Sequence, residues 1–135
     1  MVEINNTTRT KVDEKLVKRV VASFLQEFNL KNKDVSVAFV GEYKIKVLNK
    51  AYRGVDRVTD ILSFYGDGHD LGELVICNAK IIRQGPKFGH TPRQELIFII
   101  VHGLLHLIGE NDDTEKKRLA MIAHGERIIK KLNLK

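Results

Sequence analysis

The sequence holds a single cysteine, two prolines, no tryptophan and no apolar run long enough to cross a bilayer. One cysteine excludes an intrachain disulfide. Cys77 sits in the apolar run Leu74-Val75-Ile76-Cys77, where a small buried hydrophobe is expected rather than a reactive thiol. The longest apolar stretch, Leu96 to Ile108, is broken by His102, Gly103 and His106. A membrane helix needs about 20 apolar residues, so none is expected. No N-terminal stretch joins a basic region to an apolar core, so no secretory signal is read and a cytoplasmic protein is expected. Repeats, low-complexity tracts and linkers are also missing. The 135 residues therefore read as one domain, 1–135.

What is present is ordinary for a globular protein. Hydrophobic residues make up 43% and charged residues 30% of the chain, enough for a hydrophobic core without staples. Lys and Arg outnumber Asp and Glu by 23 to 17, a net charge of +6. That balance favours polyanionic partners such as nucleic acid, although charge alone is a weak guide.

Patterning gives alternating strands and helices. Val2-Glu3-Ile4 suggests a short strand. Thr10 offers a helix cap with Asp13 in the first turn, and apolar residues from Val12 to Phe28 recur at helical spacing, with Asn29 near the end. Val35–Val40 reads as a strand, and Glu42–Tyr52 as a helix followed by Gly54. Thr59–Tyr65 and Leu71–Cys77 read as a hairpin around the turn-rich Gly66-Asp67-Gly68-His69-Asp70. Asn78–Gln84 forms a short helix stopped by Gly85-Pro86. Thr91, Pro92 and Gln94 make a capping box for a helix that continues to Ile108 and stops at Gly109. A last helix spans about Thr114 to Leu132, with Leu119, Ile122, Ile129 and Leu132 as its expected buried side. A helix between the first two strands implies a right-handed parallel pair. The fold class is α/β (α+β), a small, mixed, mostly parallel four-stranded sheet sandwiched with helices.

The segment from His102 to Asp112 carries the chemistry. Histidines four apart share one helix face, with Cβ atoms about 5–6 Å apart, so their imidazoles can converge on one cation. Gly109 breaks the helix and lets the chain bring back a third ligand. Three protein ligands and one open position make a catalytic zinc site. Asp112 is placed to be the third ligand, with Asp113 as its neighbour and His124 as a further candidate. Asp112 could instead cap the last helix, with Glu115 three residues on. In an H-E-x-x-H metallopeptidase the residue after the first histidine is the general base. Here it is Gly103, which argues against peptide hydrolysis. RNA cleavage needs only a polarised phosphate and an activated water.

These residues resemble the YbeY endoribonucleases of bacteria. The family signature looks like H-G-x-L-H-L-x-G-Y-D-H, and here it reads H-G-L-L-H-L-I-G-E-N-D. A second block is similar to the family too: Leu48–Gly54, Thr59–Phe64 and Leu71–Leu74. The resemblance implies a metal-dependent endoribonuclease that prefers single-stranded RNA and acts in ribosomal RNA maturation and ribosome quality control. It implies one zinc ion on His102 and His106, and a functional Arg53, whose guanidinium would grip phosphate. Its partners would be ribosomal RNA and the ribosome or its proteins. The chain departs from the family at Asp112, which stands where the family has a third histidine, and at Glu110 and Asn111.

An Asp oxygen can ligate zinc at about 2.0–2.2 Å, and a carboxylate could shift preference toward harder metals. Arg53 has a structural alternative, as a cation at the carboxyl end of its helix. Glu73 is the best spare acid for proton transfer, although a surface salt bridge suits it better. Asp60 is expected to bond backbone or Arg57, and Ser63 to be structural. His69 and His90 look isolated. The main rival to an enzyme is a ribosome-associated binding protein with a structural or weakened metal site.

Overall fold

A computed structural model describes residues Met1–Lys135. The order is β1 (Val2–Asn6), α1 (Glu14–Glu27), β2 (Asp34–Phe39), α2 (Glu42–Arg53), β3 (Ile61–Tyr65), β4 (Asp70–Ile76), α3 (Asn78–Gln84), α4 (Pro92–Leu107) and α5 (Glu115–Lys131). A single 3-10 turn, Gly85–Phe88, joins α3 to the loop before α4. The strands lie side by side as β1-β2-β4-β3. β2 runs parallel to β1 and to β4, and β3 returns antiparallel along β4. The sheet is thus mixed, mostly parallel and four-stranded, with the expected hairpin.

Side chains alternate across a strand, and this alternation builds the layers. Val35, Val37 and Phe39 of β2, Leu74 and Ile76 of β4 and Ile61 of β3 join the large core with α1, α4 and α5. Leu62 and Val75 face the other way and pack with Val40, Ile45 and Cys77, the face that α2 covers. Cys77 is a fully buried free thiol, as its apolar neighbours implied. Each fully buried aliphatic side chain contributes roughly 1.5–3 kcal/mol of transfer free energy.

α4 is apolar nearly all round, the mark of a helix with neighbours on most sides. It packs on β3, β4, α1, α3 and α5. Its capping box forms as the sequence suggests: the Thr91 hydroxyl accepts from the Gln94 N–H, and the Gln94 side chain accepts from the Thr91 N–H. No helix is long and apolar enough to cross a membrane.

Four local expectations are corrected. Asp13, not Thr10, caps α1, accepting from the Leu16 N–H at 3.1 Å. Thr10 is drawn instead into a turn with Asn6 and Thr8. β3 starts at Ile61 rather than Thr59, because the Asp60 carboxylate turns back onto the Ile61 N–H at 2.7 Å. On α5 the buried residues are Met121, Gly125 and Ile128 and Leu119 is exposed, while Ile129 and Leu132 do pack, partly buried, against the core. The helix is rotated so that small Gly125 faces Val101 and Leu105 of α4. Lastly, Thr114 caps α5, accepting from the Lys117 N–H at 3.1 Å, so Asp112 is not the cap.

Candidate metal centre

One stripe of α4 escapes full burial. Phe98, His102 and His106 are half-open, while the residues between them are buried. With Glu95 they form a row at helical spacing along the wall of one cleft of about 840 Å3. The helix lies close enough to the sheet to aim this row because Gly103 has no side chain. A Cβ there would stand 2.6 Å from Ile61 Cδ1 and 2.9 Å from Leu74 Cδ2. The Ser63 hydroxyl donates to the Gly103 carbonyl at 3.2 Å, tying β3 to α4 at the same point. Position 103 is therefore a packing contact, and a glutamate base has no room there.

After α4 the chain reverses at Gly109, whose φ of 105° lies in the region open mainly to glycine. The returning loop brings Asp112 over the histidine pair. Asp112 Oδ2 lies 3.5 Å from Nε2 of His102 and 3.5 Å from Nε2 of His106. The three donor atoms all lie within 4.8 Å of one another. The His rings stand nearly perpendicular, with centroids 4.9 Å apart. On the far side of its ring, His106 Nδ1 meets the Glu110 carbonyl at 3.0 Å. A carbonyl only accepts, so Nδ1 carries the proton and Nε2 turns its lone pair to the centre.

This donor set fits a divalent cation. At 3.5 Å the His–Asp contacts are too long for good hydrogen bonds. Ligand atoms around tetrahedral zinc stand about 3.3 Å apart, given bonds of about 2.0–2.1 Å. Burial, and then the neighbouring His106, push the His102 pKa below its ordinary value, against the opposing pull of Asp112. Its neutral, ligating form is favoured. His102 Nε2 is the ring atom that faces Asp112, and its Nδ1 is buried without a protein partner.

The other candidates separate cleanly. Arg53, the last residue of α2, lines the same cleft and makes no ion pair. Asn49, buried on α2, donates to the Arg57 carbonyl at 3.0 Å and ties down the loop that follows Arg53. Asp113 pairs with Lys117 at 3.4 Å, away from the centre. His124 Nδ1 pairs with Glu110 Oε2 at 2.6 Å and does not join the cluster. Glu110 thus uses its carbonyl on His106 and its carboxylate on α5, which positions the loop. Glu73 is exposed on β4, outside the cleft and without an ion pair. Asp60 bonds backbone, as expected, but its second oxygen accepts from Gln84 rather than Arg57. Ser63 is structural. His90 is not isolated: its Nδ1 meets buried Glu95 at 2.6 Å. Glu95, Gln84 and His90 were missed as site residues. The available signal was a lone acid in an apolar helix, in phase with Phe98, His102 and His106.

A mixed α/β fold with two helix-borne imidazoles and a loop carboxylate around an open side has the donor set of a hydrolytic metal centre. The comparisons agree. The family model for endoribonuclease YbeY matches residues 2–133. An endoribonuclease YbeY of Thermoanaerobacter sp. (strain X514) is 34% identical, over 90% of this chain and 88% of its own. Those of Finegoldia magna and Mycoplasmopsis synoviae are 30% and 38% identical, over 99% and 80% of this chain and 95% and 76% of theirs. A Thermotoga maritima protein solved in solution shares the fold with a TM-score of 0.62 at 24% identity, covering 98% of this chain and 92% of its own. The chain belongs to the endoribonuclease YbeY family.

Proposed function

We propose that this protein is a metal-dependent endoribonuclease that cuts single-stranded RNA, with the whole chain working as one domain. The observation that carries the reading is the convergence of His102 Nε2, His106 Nε2 and Asp112 Oδ2 in a cleft large enough for a nucleotide strand. A divalent cation there supplies Lewis acidity toward a phosphoryl oxygen and makes a water easier to deprotonate. We assign zinc, since two imidazoles, one carboxylate and an open position are its usual catalytic set.

The chain's own residues do the rest. His102 and His106 hold their lone pairs inward, His106 through its bond to the Glu110 carbonyl. Asp112 offsets the cation's charge. Arg53 has its guanidinium free, and such a fork grips a phosphate through two N–H bonds and opposes charge developing in the transition state. Exposed Tyr52 and Tyr65 line the same cleft, and aromatic faces of this kind stack unpaired bases. Family membership and the net charge of +6 point to ribosomal RNA as the target, and to a cytoplasmic protein at work on the ribosome.

The test pairs metal analysis of purified protein with cleavage of a labelled single-stranded RNA, with and without chelator. Zinc near one per chain and cleavage that stops with chelator and returns with zinc are expected. RNA left whole by metal-loaded protein defeats the reading and leaves a binding protein.

A further inference from the structure

The cleft carries a second polar cluster, which the metal centre does not use. Its anchor is Glu95, only 1% exposed although it lies on the cleft-facing row of α4. Both oxygens are engaged. Oε1 meets His90 Nδ1 at 2.6 Å and Oε2 accepts from Gln84 Nε2 at 2.8 Å. Gln84 Nε2 also donates to Asp60 Oδ2 at 2.9 Å.

This wiring fixes what the cluster shows to the cleft. An amide nitrogen has two hydrogens, and those of Gln84 are spent on two carboxylates. Its carbonyl oxygen is left without a protein partner. In the tautomer that this contact suits, His90 Nδ1 donates to the Glu95 carboxylate. With Nδ1 as the donor, Nε2 is an acceptor whenever the ring is uncharged, and the side chain is about a third exposed at 32%. Two residues earlier, Phe88 lines the same cleft with 67% of its surface exposed. An aromatic face and two hydrogen-bond acceptors thus line one cleft, the acceptors both oriented from behind by a buried carboxylate.

Acceptors repel phosphate oxygens, which are acceptors themselves, so this is not a phosphate site. They suit a partner rich in N–H donors with a π-face. We propose that Phe88, His90 and Gln84 form a nucleobase subsite that prefers cytosine and adenine, which carry an amine at C4 or C6, over uracil, which carries a carbonyl there. Phe88 stacks the base, and the amino hydrogens go to Gln84 Oε1 and His90 Nε2. Uracil places a carbonyl oxygen where cytosine has its amine, and there it meets two acceptors. Glu95 is the positioning residue for both. Ring-to-ring steps of 5.7 Å from His90 to Phe98 and 6.2 Å from Phe98 to His102 place the subsite beside the metal centre. It is within reach of the neighbouring nucleotide on an extended strand. The subsite rests on the RNA-cutting reading of the same cleft.

Short labelled strands of oligo-dC, oligo-dA and oligo-dU share one backbone and differ only in the base, and a gel checks that they stay whole. Their affinities for metal-loaded, full-length protein are measured by fluorescence anisotropy at about pH 8, where an ordinary imidazole is neutral. Parent protein is expected to bind oligo-dC and oligo-dA about tenfold more tightly than oligo-dU, the scale of one hydrogen bond made against one opposed. Gln84→Ala and His90→Phe should each lower that ratio several-fold, by weakening oligo-dC and oligo-dA and slightly strengthening oligo-dU, which then meets one acceptor fewer. Phe88→Ala, at an exposed position, should weaken all three alike. Should Gln84→Ala misfold, His90→Phe decides. A parent ratio near one, no binding of any strand, or a preference that survives undiminished in the folded variants overturns the subsite. Failure of the endoribonuclease reading looks different: labelled RNA stays whole beside metal-loaded protein, whatever the ratio.

Discussion

Asp112 is free to serve the centre because Thr114 does the capping of α5. Asp112→Asn keeps the shape of the side chain and removes its charge. Zinc affinity is expected to fall at least about tenfold, a loss of roughly 1.4 kcal/mol, with the melting temperature of the metal-free protein unchanged. Competition titration against a chelating dye reads the first and calorimetry the second; equal affinity in the variant takes Asp112 out of the ligand set. Gly103→Ala tests packing rather than chemistry. Its Cβ would press on Ile61 and Leu74, and overpacking of a tight core costs roughly 1–3 kcal/mol. Denaturant unfolding should show that loss, and a variant as stable as the parent would mean that the helix–sheet contact yields easily. Arg53→Lys separates substrate handling from helix support. Lysine serves a helix carboxyl end about as well, but it is a point charge without the planar fork. Single-turnover cleavage is expected to slow by about 10²–10³, with metal content and melting temperature near the parent's. A variant that cuts as fast returns Arg53 to a structural role.

The centre depends on how α4 starts and stops. Thr91 closes the capping box at its N-terminus, and Thr91→Ala should cost about 0.5–2 kcal/mol. Denaturant unfolding should show this as a lower midpoint with an unchanged slope; an unmoved midpoint would mean that tertiary packing alone holds the first turn. These boundaries were readable because caps and stops are local. Thr91-Pro92, Gly109 and the hairpin turn each act through a few neighbouring residues. The parallel β1-α1-β2 unit was readable from chain order. The face of α5 was not. Leu119 and Ile122 outrank Gly125 in hydrophobicity, yet close approach to Val101 and Leu105 is decided by size, which a hydrophobic pattern does not weigh. The site divides in the same way. His102 and His106 share a face by spacing alone, whereas the turn at Gly109 pointed to a third ligand without deciding among Asp112, Asp113 and His124. The Asp60–Gln84–Glu95–His90 network joins a strand end, α3, a loop and α4, and although three of its members lie close in sequence, no regular spacing announces it.

At the scale of the molecule, the proposed site makes metal and proton compete for the same lone pairs, and stability should report it. The folded, metal-free protein holds the His102 pKa below its ordinary value of 6.5, chiefly through burial and then through His106. The unfolded chain takes up a proton near 6.5, and the folded chain only at lower pH. Between those two points the unfolded state binds more protons, so stability falls as pH falls. Above that window the term is flat and fully present. Zinc adds to it, because an ion that binds only the folded state stabilises by RT ln(1 + [L]/Kd), about 2.7 kcal/mol at a hundredfold excess over Kd. Protonation of either histidine removes a ligand, so that increment also shrinks in acid. Calorimetry of metal-loaded and chelated protein across the range from neutral to mildly acidic pH checks both. The gap between their melting temperatures should be widest near neutrality and close as pH drops through the window. His102→Ala should abolish the gap and flatten part of the metal-free slope. A metal-free slope identical in parent and His102→Ala would remove buried His102 from the account of acid sensitivity. A gap that persists in the variant would place the ion somewhere other than the cleft.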